Sequence, residues 1–213
     1  MWKLVVIVAG GVIAFGGWKD FRLRGIAEAE AQEMTLAQLL GAGAIENAHV
    51  KISEYAAVYP ETIYRAPKNS ETSVKVAYYP ILSPENVFMK ELAELAEKFP
   101  NGVPETEPLP VIEEFKVIVK THRFKSTDEI PDIFATEETV QGIIVNEVES
   151  MGAEEIRLLK QTFGKLDADE LLMLEEGRLP APVGKAALQL GGGVLLSLVG
   201  FGWLLFGRGR GGG

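Results

Sequence analysis

The two ends of the chain carry long runs without a charged residue, and these runs most constrain the possible fold. The first run is Leu4 to Trp18 and the second is Ala186 to Phe206. All 30 acidic side chains lie between them. A run of about 20 apolar residues forms a helix roughly 30 Å long, which matches the hydrocarbon core of a bilayer. The pattern predicts a polar domain held by a transmembrane helix at each end, and hence an integral membrane protein.

The second run predicts a transmembrane helix over residues 186–206, because Gln189 and Ser197 are its only polar side chains. A buried core helix is the alternative, but such a helix rarely needs this length without a charge. The first run is short, but Lys3 and Lys19 can extend their side chains to the two interfaces. A cleaved signal peptide is the alternative there. We favour an uncleaved anchor, because a charged stretch separates the apolar run from any small-residue cleavage site.

Both apolar runs contain small residues four positions apart, a spacing that lets helix backbones approach closely. The pairs are Gly10 with Ala14 and Gly193 with Ser197. They predict helix–helix packing, either within the chain or with a partner. The alternative is that glycine is simply common in membrane helices.

The segment between the runs is strongly acidic, with all 30 acidic residues and 18 of the 21 basic ones. Nucleic acid is therefore excluded as a partner, because phosphate contacts need a basic face. The chain has no cysteine, which excludes disulfides, thiolate metal sites and cysteine nucleophiles. Basic residues near the predicted membrane boundaries lean slightly toward a cytoplasmic domain without settling the side. In a bacterium the membrane would be the cell membrane.

Local patterns predict an α+β domain with a small, mostly antiparallel sheet or an OB-like barrel and two packed helices. Thr35 and Gln38 fit a capping box for a short helix that ends at Gly41. Serines at positions 83 and 150 are predicted to start two further helices. The predicted strands cover residues 49–59, 61–66, 74–82, 111–122, 140–148 and 171–175, the first three as a meander. A helix capped by Asp167 is the alternative for residues 171–175.

The chain divides into six predicted segments. They are a transmembrane helix (1–18), a juxtamembrane spacer (19–34) that continues the helix or links it to the domain, a soluble α+β domain (35–176), a linker (177–185), a second transmembrane helix (186–206) and a basic glycine-rich tail (207–213).

No catalytic, cofactor or metal signature is found in the sequence, so it favours a protein that is not an enzyme. His49 and His122 are the only histidines, and two ligands rarely suffice for a metal. His122 is predicted to share a strand face with Lys116 and Lys120, which makes these three a candidate functional surface. The five tyrosines, all on the first three predicted strands, predict either an aromatic binding face or cross-strand packing.

These observations support three functions, of which we favour the first. It is a two-pass membrane protein whose acidic domain mediates assembly with other membrane proteins or with itself. The second is a membrane-tethered sensor of a small ligand or lipid, and the third is a hydrolase that uses carboxylates or His122. The layout is similar to two-anchor assembly factors of respiratory oxidases and to membrane-anchored barrel-domain proteins, although their motifs are absent.

Overall fold

The computed structural model describes residues 2–68, 70, 72–100, 104, 107–108, 110–112, 114–145, 153–163 and 170–206, without the side chains at 155, 205 and 206. Its helices are α1 (Trp2–Arg24), α2 (Leu36–Gly41), α3 (Val87–Lys98), α4 (Ala153–Phe163) and α5 (Val183–Phe206). Its strands are β1 (Gln32–Thr35), β2 (His49–Ser53), β3 (Tyr55–Val58), β4 (Ile63–Arg65), β5 (Val76–Leu82), β6 (Val117–Thr121), β7 (Phe134–Glu137), β8 (Val140–Ile144) and β9 (Leu172–Glu176). The chain forms two compact units, residues 1–29 with 179–213, and residues 30–178.

The first unit consists of α1 and α5, which pack along each other in opposite directions. Both helices are long and apolar enough to cross a membrane by length and composition. In the most apolar stretch of each helix, only 11% of the residues are buried. Large apolar side chains such as Val8 and Leu195 therefore point outward.

The second unit is an α+β domain built on one curled, mixed sheet, a half-barrel. The strand order is β1-β2-β8-β9-β6-β5-β3-β7, with β4 also on β5. The β1–β2 and β6–β9 pairs are parallel, and the other described pairs are antiparallel. The predicted α+β class is therefore confirmed. The predicted meander is wrong, because β3 and β4 do not pair with each other but lie along the same strand, β5.

The curl of the sheet comes from one bent strand. β2 and β3 are separated only by Glu54, whose φ of 53° lies in the left-handed region. β2 pairs with β8 and β3 pairs with β7 in one continuous antiparallel register, from His49 opposite Ile143 to Val58 opposite Phe134. β3 also pairs with β5, so the sheet continues through β6 and β9 and returns to β8. A sheet connected in this way must curl.

The inner face of the curled sheet is filled by apolar and aromatic side chains. Because strand residues alternate between faces, Val50 and Ile52 of β2 face inward with Val117 and Val119 of β6. Leu36 and Leu39 of α2 are buried in the same core. Ile118 points to the opposite face and is also fully buried, so β6 is covered on both sides.

Short-range signals predicted some element boundaries well. The capping box is confirmed, since the Thr35 hydroxyl accepts a hydrogen bond from the Gln38 amide and the Gln38 side chain accepts one from the Thr35 amide. The strand predicted at 171–175 is also confirmed as β9. The helix predicted to start at Ser83 begins later, because the Asn86 side chain caps the amide of Phe88 instead.

Other elements differ in their bounds from the predicted ones. The first part of the predicted spacer continues α1 to Arg24, and residues 25–31 that follow are not helical. β1 lies within the predicted spacer, and β6 covers only the end of the strand predicted at 111–122. β7 lies between two predicted strands, where no strand was expected. The predicted cap at Ser150 and the tail at 207–213 lie outside the described residues.

Candidate functional site

Glycines bring the two apolar helices into backbone contact. A β-carbon on Gly10 would lie 2.7 Å from the Ser197 nitrogen and 2.8 Å from the Gly193 carbonyl oxygen. A β-carbon on Gly193 would collide with the backbone of Ala14. All four residues named from the sequence spacing thus lie at one crossing within the chain. Ser197 also donates a hydrogen bond of 3.3 Å to the Ile7 carbonyl oxygen.

The contact continues toward both ends of the helix pair. Gly17 lies against the backbone of Leu190, a contact that leaves no room for a side chain. At the terminal end, the Trp2 and Trp203 rings meet edge to face with centroids 4.8 Å apart. Lys3 donates a hydrogen bond of 2.8 Å to the Trp203 carbonyl oxygen. The helices are therefore packed against each other along most of their length.

The three residues of the predicted functional surface do not form one site. Lys116 and His122 lie at opposite ends of β6, about 20 Å apart at the usual strand rise. His122 is exposed, and its Nδ1 is 2.9 Å from the Lys75 carbonyl oxygen. Lys120 is 4.0 Å from Glu175 on the neighbouring strand β9. The predicted common face is thus divided into separate surroundings.

Lys116 borders two neighbouring surface clefts. One, of about 470 Å³, is lined by Leu40, Glu85, Glu114 and other residues around the ends of α2 and β5. The second, of about 200 Å³, runs beside the loop that follows α2 and also includes Leu40. Cavities of several hundred Å³ are in the size range of small-molecule sites. The structure therefore assigns Lys116, and neither Lys120 nor His122, to these two clefts.

A cluster of charged and aromatic side chains, which the sequence did not predict, lies at one end of the curled sheet and is centred on Arg123. Its guanidinium donates hydrogen bonds of 2.8 Å and 3.3 Å to the two carboxylate oxygens of Glu137. It is 3.5 Å from Glu176. The same group lies 5.3 Å from the Tyr59 ring centre and 4.8 Å from that of Phe124, distances typical of cation–π contacts.

Tyrosine hydroxyls complete the cluster. Tyr55 donates a hydrogen bond of 3.1 Å to Glu137, and Tyr59 donates another to the same carboxylate while it accepts one from Arg123. Tyr79 is 0% exposed and its ring packs on Tyr59. Among the described residues, the Tyr79 hydroxyl and one carboxylate oxygen of Glu176 are buried without a hydrogen-bond partner. We call Arg123, Glu137, Glu176 and these three tyrosines the arginine cluster.

The pKa shifts in the arginine cluster follow from burial and pairing. Burial alone would raise the pKa of Glu137, but hydrogen bonds from Arg123 and Tyr59 outweigh it and hold the pKa below its ordinary value. Burial opposes the charge on Arg123, yet its hydrogen bond to Glu137 keeps the Arg123 pKa above the usual value. Burial also raises the pKa of Tyr55, Tyr59 and Tyr79. The tyrosines therefore stay neutral, and the Arg123–Glu137 pair stays charged.

A third cleft lies between α3 and the prolines at positions 108 and 110. No member of the arginine cluster lines this cleft or the two beside Lys116, so we interpret the cluster as a stabilising network. One sequence signal pointed to such a cluster: all five tyrosines lie on predicted strands, where alternation buries some of them and buried hydroxyls need polar partners. In the structure four of the five are buried. The tyrosines were expected to form either an aromatic binding face or cross-strand packing. All of them except Tyr64 are buried, which favours packing.

His49 is buried on β2, where its Nε2 is 2.9 Å from the Gln141 side chain. His49 and His122 are thus in different surroundings. Within the described residues, no group of three histidine or acidic side chains is placed to hold a metal ion.

No protein-family model matches the chain, and neither a curated protein nor a solved structure matches it. Any function must therefore be argued from its own residues.

Proposed function

We propose that α1 and α5 cross a lipid bilayer as an antiparallel hairpin, with both termini on one side. The observation that carries this is the glycine-packed helix pair with apolar outer faces. Side chains such as Val12, Phe15 and Leu198 are exposed around it. A contiguous apolar surface of this size is unfavourable in water and matches lipid chains.

The packing of α1 also supports an uncleaved anchor over a signal peptide. Gly10 and Gly17 fit closely against α5, and cleavage after α1 would remove this half of the helix pair. At the base of the pair, Arg24 donates a hydrogen bond of 2.9 Å to the Ala181 carbonyl oxygen. These contacts favour a permanent two-helix unit.

We propose further that the acidic second unit mediates assembly with other membrane proteins. The double anchor confines the domain to the membrane surface, which raises its effective concentration for membrane partners. Its arginine cluster lines none of the clefts described above, which supports interaction over catalysis. His122 lines none of the clefts described above, so the geometry lends no support to a hydrolase that uses His122.

The absence of native cysteine makes the membrane proposal easy to test. Single variants Lys68→Cys in the domain and Trp2→Cys near the terminus would be labelled in intact cells with a membrane-impermeant maleimide. The domain and the terminus should react from opposite sides of the membrane, and the protein should resist carbonate extraction. Release into the soluble fraction by carbonate would contradict the hairpin proposal.

The assembly proposal is tested by crosslinking in native membranes at native expression, followed by purification in mild detergent. We expect at least one other membrane protein, or a second copy of the chain, to copurify reproducibly. A chain that runs alone as a monomer would contradict the proposed function.

We also propose that the curled sheet closes as an OB-like barrel. The bent strand β2–β3 pairs on one side with β7–β8 and on the other with β5, which gives a ring through β6 and β9. OB-folds are five-stranded, partly open barrels. Amide exchange should then be slow in all five strands of the ring.

A ligand sensor is the second candidate, and the cleft at Lys116 is the observation that favours it. The cleft combines a cationic side chain with the apolar Leu40 and the acidic Glu85 and Glu114. The filled inner face of the sheet argues against a ligand inside the barrel. Saturable binding of a small anion that is lost in Lys116→Ala would support this candidate.

A further inference from the structure

An exposed apolar patch lies beside an open sheet edge in the second unit. Val87 at the start of α3 is 69% exposed, Ile133 is 62% exposed, and Phe134 at the start of β7 is 39% exposed. The ring centroids of Phe134 and Phe88 are 5.5 Å apart, so the start of β7 is in contact with the start of α3. We call Val87, Ile133 and Phe134 the β7 patch.

β7 is the last strand of the sheet, and in the described part of the chain only β3 pairs with it. Its outer edge therefore offers backbone amide and carbonyl groups for another strand. Phe134 and Thr136 are exposed, whereas Ala135 and Glu137 are half-buried, as expected for a strand with one outer face. An open edge beside an apolar patch is the arrangement that strand addition uses.

The surroundings of the β7 patch are acidic. Asp132 precedes Ile133, Glu138 follows β7, and Glu85 and Glu91 lie within one helical turn of Val87 in sequence. All four are exposed, and none forms an ion pair with a described residue. Other carboxylates, such as Glu33 and Glu154, pair with Lys51 and Arg65. Lys90 is the one basic residue in the same turn as Val87 and is also exposed, so four carboxylates against one lysine leave the rim with a net negative charge.

We propose that the β7 edge binds an extended segment of another protein in which apolar residues alternate with lysine or arginine. The partner's backbone would extend the sheet beyond β7, its apolar side chains would cover Ile133 and Phe134, and its basic side chains would neutralise the rim. This proposal rests on the assembly function and specifies the chemistry of the partner.

Two other occupants fit the surface less well. A second copy paired through β7 would bring identical acidic rims together, which is destabilising. An anionic lipid surface would be repelled by the same carboxylates. A basic, strand-forming partner satisfies both the charge and the free backbone groups.

The test uses the full chain in nanodiscs of zwitterionic lipid and a labelled peptide of alternating lysine and valine. Two control peptides have alternating glutamate and valine, or the same lysines and valines in separate blocks. Fluorescence anisotropy, corrected with empty nanodiscs, should show saturable binding of the first peptide only. Amide exchange should slow in β7 when it binds. Protection at another strand, equal binding of a control peptide, or no binding at 1 mM would overturn the proposal.

Variants locate the contact. Ile133→Lys should weaken peptide binding at least tenfold, and Asp132→Lys, an exposed change outside the strand, should weaken it several-fold. Val111→Lys is the matched control, because Val111 is 75% exposed and is not part of the β7 patch. Unchanged thermal unfolding would show that the variants are folded. Equal binding by Ile133→Lys and the wild type would overturn the proposal.

The same variants separate this proposal from the assembly function. If Ile133→Lys recovers the same membrane partner as the wild type, the β7 proposal fails and the assembly function stands. If the wild type recovers no membrane partner, the assembly function fails. The peptide-binding measurements then decide separately whether the β7 edge binds a basic strand.

Discussion

Gly193 of α5 lies directly against the backbone of Ala14 in α1. A β-carbon at position 193 would also lie 2.7 Å from the Gly10 carbonyl oxygen, closer than real β-carbons approach. The contact is between two backbones, so no side-chain rotation can relieve a larger residue. Close backbone packing of this kind stabilises helix pairs in membranes, where the hydrophobic effect supplies little driving force.

We therefore expect Gly193→Val to separate the two helices. Overpacking of this kind typically costs about 1–3 kcal/mol. The distance between spin labels placed near the ends of α1 and α5 should increase and broaden in detergent or nanodiscs. Gly192→Val is the matched control, because nothing lies within 4 Å of its β-carbon position. Equal effects of the two variants would contradict the packing described here.

Arg123→Met should destabilise the second unit, because it removes the cation–π contacts and leaves Glu137 without its guanidinium. Loss of one member of a buried ion pair costs about 3–5 kcal/mol. Because the Arg123 side chain is 35% exposed, we expect a smaller loss of about 2 kcal/mol. Urea unfolding of the domain would measure it.

The control for that variant is Arg65→Met, which removes an ion pair of 3.1 Å between Arg65 and the exposed Glu154. Surface pairs contribute about 0–1 kcal/mol, so the control should change stability little. A loss from Arg123→Met no larger than that of the control would mean that the cluster contributes no more than an ordinary surface pair.

The lowered pKa of Glu137 predicts how stability depends on pH. Unfolding returns the carboxyl to its ordinary pKa of about 4.5, so the unfolded chain binds the proton more readily. The stabilisation is therefore fully present above that pKa and is lost as pH falls through the lower pKa of the folded state.

We expect the free energy of unfolding to decrease below about pH 5 in the wild type and to depend less on pH in Glu137→Gln. Glu33→Gln is a control, since Glu33 also has a lowered pKa, caused by its hydrogen bond to Lys51, but is fully exposed. Parallel pH curves for Glu137→Gln and the wild type would contradict this assignment.

Gly142→Ala should disrupt the pairing of β8 with β9. A β-carbon at Gly142 would collide with the Glu175 carbonyl group, because the two strand backbones cross closely there. We expect a loss of about 2 kcal/mol or more, the range of strained core substitutions, with faster amide exchange in β8 and β9. Gly43→Ala, where nothing lies within 4 Å, should be close to neutral.

Features that depend on a few neighbouring residues could be predicted from the sequence. The Thr35–Gln38 capping box is one, because both partners lie within a single helical turn. Length and composition likewise predicted the two long apolar helices at the ends. The small residues at Gly10 and Gly193 marked positions where backbones could approach, although not which helix each would meet.

Strand pairing could not be predicted, because it joins residues far apart in sequence. β7 has a short, mixed sequence with only one large apolar residue, Phe134, and that residue is partly exposed. It is a strand because β3 presents a matching edge in the register continued from β2 and β8. The left-handed conformation of Glu54, which bends that strand, also has no clear local signal.

The sequence by itself determined the two long apolar helices at the ends, the acidic charge between them and the boundaries of α2, since these follow from composition and short-range hydrogen bonding. The tertiary structure decided which backbones meet. It separated Lys116 from His122, which are only six positions apart, and brought together Arg123, Tyr59 and Glu137, which are distant along the chain. A half-buried carboxylate such as that of Glu137 needs hydrogen-bond donors, and only the curled sheet brings Arg123 and Tyr59 within hydrogen-bonding distance of it.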